Sequence, residues 1–169
     1  MKKTQTHMMY GGLTGLAMIV LGLILYVAGL SFEKWAQWIS YIPFLAGIIL
    51  NAQAYSKANE ADITFGNAFA SGFKATLIIT AIVLVWSFIS LAIFPEMREK
   101  SIEMAIESME GRGMSDEQIQ QSMEMTEKYL GLFMAMGIIF GLVFFGTVFS
   151  LIAAAIAKKN PRPQVQDHL

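Results

Sequence analysis

The chain has 169 residues, 55% apolar and only 15% charged, with a net charge of −1. Soluble domains carry about 25% charged residues, so this composition is that of a membrane protein, and a near-neutral chain offers nothing to attract nucleic acid. Without a single cysteine there are no disulfides, thiolate metal sites or cysteine nucleophiles.

Four stretches lack Asp, Glu, Lys and Arg: residues 11–30, 35–56, 75–94 and 129–157. Each reaches the roughly 20 residues that a helix needs to cross a bilayer. The fold class that follows is all-α: an integral membrane four-helix bundle with spans at about 9–30, 35–56, 73–94 and 129–157. The first run is longer than the h-region of a signal peptide, roughly 7–15 residues, and reads as a retained span. In the second, Pro43 removes an amide donor and predicts a kink about two turns in or a helix beginning at Pro43 after an interfacial stretch; the thirteen residues from Pro43 to Tyr55 are too short to span, which favours the kink. The fourth, at 29 residues, exceeds the bilayer and must tilt or continue into the preceding loop.

The basic residues set an orientation. Lys2, Lys3, Lys57, Lys74, Lys158, Lys159 and Arg162 fall on one side, which the positive-inside rule makes cytoplasmic, together with both termini and the tail 158–169. The short link 31–34 forces the first two spans to be antiparallel neighbours.

Between spans two and three, Phe65, Phe69 and Phe73 recur every fourth residue with Asn67, Ser71 and Lys74 opposite them. This spacing predicts a helical elbow at the membrane interface, capped by Asp62 or Thr64, with Lys74 snorkelling to the headgroups. The sharper alternative turns Asn67, Ser71 and Lys74 toward Asn51 and Gln53 as a polar vestibule.

Residues 95–128 predict an extramembrane acidic helical hairpin between spans three and four. Pro95 suits the first turn of a helix, Gly111-Arg112-Gly113 breaks it, and Ser115 with Gln118 forms a capping box for a second helix that runs into the fourth span. Glu99, Glu103, Glu107 and Glu110 line one side of the first helix. A solvated face accounts for them, with docking to a basic partner or a weak divalent-cation site as the alternatives. Six of the twelve methionines lie in this loop, where apolar packing explains them better than copper binding.

Small residues mark candidate helix-packing or oligomer interfaces: Gly11, Gly15, Gly22 and Gly29 on the first span, and Gly137, Gly141, Gly146 and Ser150 on the fourth. Ser40, Thr76, Thr80, Ser87, Ser90 and Thr147 read as span residues that bond their own helix backbone. No charge lies within an uncharged run, and His7 and His168 are near the ends. No catalytic set, metal site or cofactor is therefore expected.

Three short segments carry a family likeness: Thr64-Phe65-Gly66-x-Ala68-Phe69-x-x-Gly72-Phe73, Phe94-Pro95-Glu96, and Gly113-Met114-Ser115-x-Glu117. In these the chain resembles a family of small four-span bacterial inner-membrane proteins known only as a domain of unknown function. The resemblance implies a multi-pass inner-membrane protein with the acidic loop in the periplasm, and supplies no catalytic residues. With a bilayer as its setting and a membrane-protein partner or a homo-oligomer as its expected company, the chain points to a non-enzymatic accessory or scaffold protein. A subunit of an oligomeric small-solute transporter or channel is the alternative.

Overall fold

A computed structural model describes residues 4–161 and is helical throughout its regular structure: α1 His7–Val27, α2 Lys34–Ile39, α3 Tyr41–Ala58, α4 Phe65–Ile93, α5 Pro95–Glu110 and α6 Asp116–Ile156. Lys2, Lys3, Arg162, His168 and most of the expected tail lie outside the described residues. Three helices, α1, α4 and α6, are long and apolar enough to cross a membrane. Such helices satisfy every interior backbone group without water, which is what a bilayer demands.

The kink expected in the second run is corrected. The run 35–56 is two helices, broken at Ser40, and Pro43 is the third residue of α3 rather than a kink in its middle. There the missing amide costs nothing, because the first four N–H groups of any helix lack an intrahelical acceptor. Helix α3 has 18 residues, about 27 Å in length, and its last turns carry Asn51, Gln53, Ser56 and Lys57. These polar turns leave it less apolar than the other three long helices.

The elbow is corrected too. Residues 65–73 form the first turns of α4, which continues unbroken for 29 residues. Its start is held reciprocally, with the Thr64 amide donating to Asn67 Oδ1 at 3.1 Å and the Asn67 amide to Thr64 Oγ1 at 3.2 Å.

The loop signals act where expected. Pro95 opens α5, and Gly113, at φ +75°, follows its end. The Ser115 amide donates to Gln118 Oε1 at 3.1 Å and the Gln118 amide to Ser115 Oγ at 3.4 Å, closing the capping box of α6. Helix α6 then runs for 41 residues without interruption.

Three helices end with the same hydrogen-bond pattern. At α1 the Leu30 amide reaches Leu25 O and the Gly29 amide reaches Tyr26 O, with Gly29 at φ +72°. Glycine suits this left-handed position because it has no Cβ. After α5 the Met114 amide reaches Met109 O across Gly113. After α3 the Ala61 amide reaches Ser56 O and the Glu60 amide reaches Lys57 O, but the left-handed residues are Glu60 (φ 53°) and Ala61 (φ 60°).

The described residues divide into two units, 4–83 with 141–161, and Leu84–Phe140. In the first, Phe44, Ile48, Ala52, Ile63, Ala68 and Ile79 are fully buried. Phe44 meets Phe149 edge-on at 5.3 Å, and Tyr41 lies 4.6 Å from the Phe145 ring. Small residues let the helices close in. A Cβ on Gly47 would overlap Thr14, one on Gly146 would overlap Thr76, and one on Gly72 would stand 2.9 Å from Ser150 Oγ. In the second unit, Gly131 faces the Phe88 ring, and α5 buries no residue.

Candidate functional site

Helices α1, α3 and α4 bring a polar cluster together in the first unit. Asn51, fully buried on α3, donates its amide to Ser71 Oγ on α4 at 3.1 Å and accepts the Thr6 hydroxyl on Oδ1 at 2.8 Å. Ser71 is 4% exposed. A buried amide left unpaired is costly, so this chain of bonds fixes the register of the three helices.

Beside the cluster lies a recess of about 200 Å³ lined by Gln5, His7, Tyr55, Asn67, Ser71 and Lys74, with Ala70. Asn67, Ser71 and Lys74 share it because they follow at three- and four-residue spacing on α4. His7 and Tyr55 come to it from α1 and α3. The stripe of phenylalanines is not one buried face: Phe65 is exposed, while Phe69 and Phe73 are half-buried and stacked 6.0 Å apart.

The five residues read as a vestibule therefore separate. Asn51 and Ser71 bond to each other, and Asn67 and Lys74 share the recess with Ser71. Gln53 lines a different recess of about 390 Å³ with Ser56, Lys57, Glu60, Ala61 and Lys158. Thr6, His7 and Tyr55 escaped sequence reasoning, since nothing in their local spacing points to α4.

The second recess borders a knot of chain ends. Asn59 Nδ2 donates to Thr4 O at 3.0 Å and Asn59 Oδ1 accepts the Thr4 amide at 2.8 Å. Ser56 Oγ donates to Lys158 O at 2.5 Å, and the Asn160 amide donates to Ala61 O at 2.7 Å. The Lys159 ammonium donates to the carbonyls of Ala154, Ala155 and Ala157, neutralising the negative end of α6.

The small residues also divide. Gly11 approaches Ala75 and Ile78, Gly15 approaches Ile82, and Gly146 and Ser150 are spent on α4. Gly141 lies near the Tyr41 hydroxyl, and Gly29 serves to end α1. Gly22 and Gly137 face open space. Among the hydroxyls, Thr147 and Ser90 do bond their own helix, to Val143 O and Ser87 O. Thr76 and Thr80 do not: their buried hydroxyls, like that of Ser150, have no partner among the described residues, and the Thr76 side chain lies over Gly146. Glu99, Glu103, Glu107 and Glu110 are exposed on α5, and no group of three or more His, Cys, Asp or Glu among the described residues is placed to hold a metal.

The chain matches the family described as "Protein of unknown function (DUF4199)" over residues 9–159, and so belongs to it. No curated protein and no solved structure matches.

Proposed function

We propose that this DUF4199 member is a multi-pass inner-membrane protein of bacteria that works without catalysis, as an accessory or scaffold for other membrane proteins. In this reading α1, α4 and α6 cross the bilayer, the segment of α2 and α3 completes a four-segment bundle, and both termini are cytoplasmic. The helix pair on either side of Gly113 then projects into the periplasm as an acidic docking element.

The observation that carries it is the sorting of the glycines. Gly11, Gly15 and Gly146 are consumed by internal packing, whereas Gly22 and Gly137 meet nothing. Gly137 lies among the exposed Phe133, Met136 and Phe140 of α6. In lipid, a small residue set among large ones lets another helix approach and gain van der Waals contact where no hydrophobic drive between helices exists.

The test is native mass spectrometry of the protein extracted gently from its own membrane. A stoichiometric complex with a different membrane protein, lost on Gly137→Leu, supports the reading. A bare monomer in every preparation refutes it. A homo-oligomer without foreign partners replaces it with a transporting or conducting assembly.

A further inference from the structure

We propose that the recess between the beginnings of α1 and α4 is a binding site for a phosphate group, carried by a lipid headgroup or free in solution. Its wall is chemically one-sided. Lys74 and His7 both line it, near enough for Lys74 to act electrostatically on the His7 ring, and no carboxylate contributes to the lining.

The remaining polar groups present donors. The Ser71 oxygen accepts the Asn51 amide, which leaves the Ser71 hydroxyl hydrogen to donate. Asn67 Oδ1 is taken by the Thr64 amide, which leaves the Asn67 Nδ2 hydrogens. Tyr55, 7% exposed, brings a hydroxyl that can donate. Thr6 spends its hydroxyl on Asn51 and makes no cap for α1, so that helix begins at His7 with its positive end uncapped by a side chain.

A cation would be repelled by Lys74 and would find no carboxylate in the lining. An anion answers every one of these groups, since charge-assisted hydrogen bonds from Lys and neutral donors strengthen with negative charge on the acceptor. Donors arriving from three helices suit a group with oxygens on several sides, as phosphate has. The inference stands apart from the partner-binding reading, because it concerns other residues and survives if no partner exists.

The experiment uses the full chain in maltoside micelles, with His168→Ala so that His7 gives the one histidine side-chain signal in NMR. Inorganic phosphate and phosphatidylglycerol are titrated separately at fixed pH and ionic strength. A saturable shift of the His7 ring is expected, weakened roughly tenfold or more by Lys74→Gln and by less in Asn67→Ala. Lys57→Gln, in the other recess, should leave it unchanged. Response to the lipid alone identifies a headgroup as the source, and response to inorganic phosphate identifies a soluble anion. The proposal fails if neither titrant gives a saturable shift, or if Lys74→Gln binds as the parent does. It also fails if Lys57→Gln weakens binding as much as Lys74→Gln. Lys74 is exposed, so its substitution leaves the core intact, and an unchanged melting temperature verifies this.

Discussion

The Asn51 amide donates to Ser71 Oγ at 3.1 Å, joining two helices through side chains that are almost wholly shielded from solvent. Asn51→Ala should cost about 1–2 kcal/mol, because Thr6 and Ser71 both lose their partner. Ser71→Ala should cost a similar amount by stranding the Asn51 amide. The two substitutions together should cost less than their sum, since one bond cannot be broken twice. Detergent-mediated unfolding followed by circular dichroism measures all three.

One substitution made at two glycines should have opposite effects. Gly146→Ala drives a Cβ into Thr76 and should destabilise by about 1–3 kcal/mol. Gly137→Ala meets open space and should be neutral or stabilising by up to about 1 kcal/mol through helix propensity. Adding Thr76→Ala should recover part of the loss at Gly146, since the Phe44 ring still stands 2.9 Å from the added Cβ. Melting temperatures in one detergent suffice for the comparison, and equal losses at both glycines would contradict the packing described.

Ala61, at φ 60°, occupies a left-handed position that costs an L-residue roughly 1–2 kcal/mol. Ala61→Gly should therefore stabilise the chain by up to about 1 kcal/mol, after allowance for the extra freedom of the unfolded chain. Ala61→Val should do the reverse. Thermal unfolding distinguishes the two directions.

Local chemistry was the legible part of the fold. The Ser115 and Gln118 box, Pro95 at the head of α5 and the break at Gly113 were all readable, because each acts within four residues of itself. The length of the last apolar run left a tilt or a continuation into the preceding loop, and α6 does continue, from Asp116 to Ile156. Position along the second run was harder: Pro43 forbids a donor but does not say whether the helix bends around it or restarts just before it, and the structure restarts at Tyr41. The polar face of Asn67, Ser71 and Lys74 was visible from spacing alone. Its companions His7 and Tyr55 were not, since they arrive from helices whose rotation only packing determines. The same holds for the glycines, which share a composition on α1 and α6 but divide by what stands opposite each.

The contact of Ser56 with Lys158 joins residues 102 positions apart, and Ala61 waits for Asn160 across a similar interval. During synthesis the left-handed turn after α3 is thus made early and held late. Its two long-range restraints arrive only when the residues beyond α6 have left the ribosome. A chain ending at Ala157 would keep the local bonds of that turn, Ala61 to Ser56 and Glu60 to Lys57, and would lose its ties to Lys158 and Asn160.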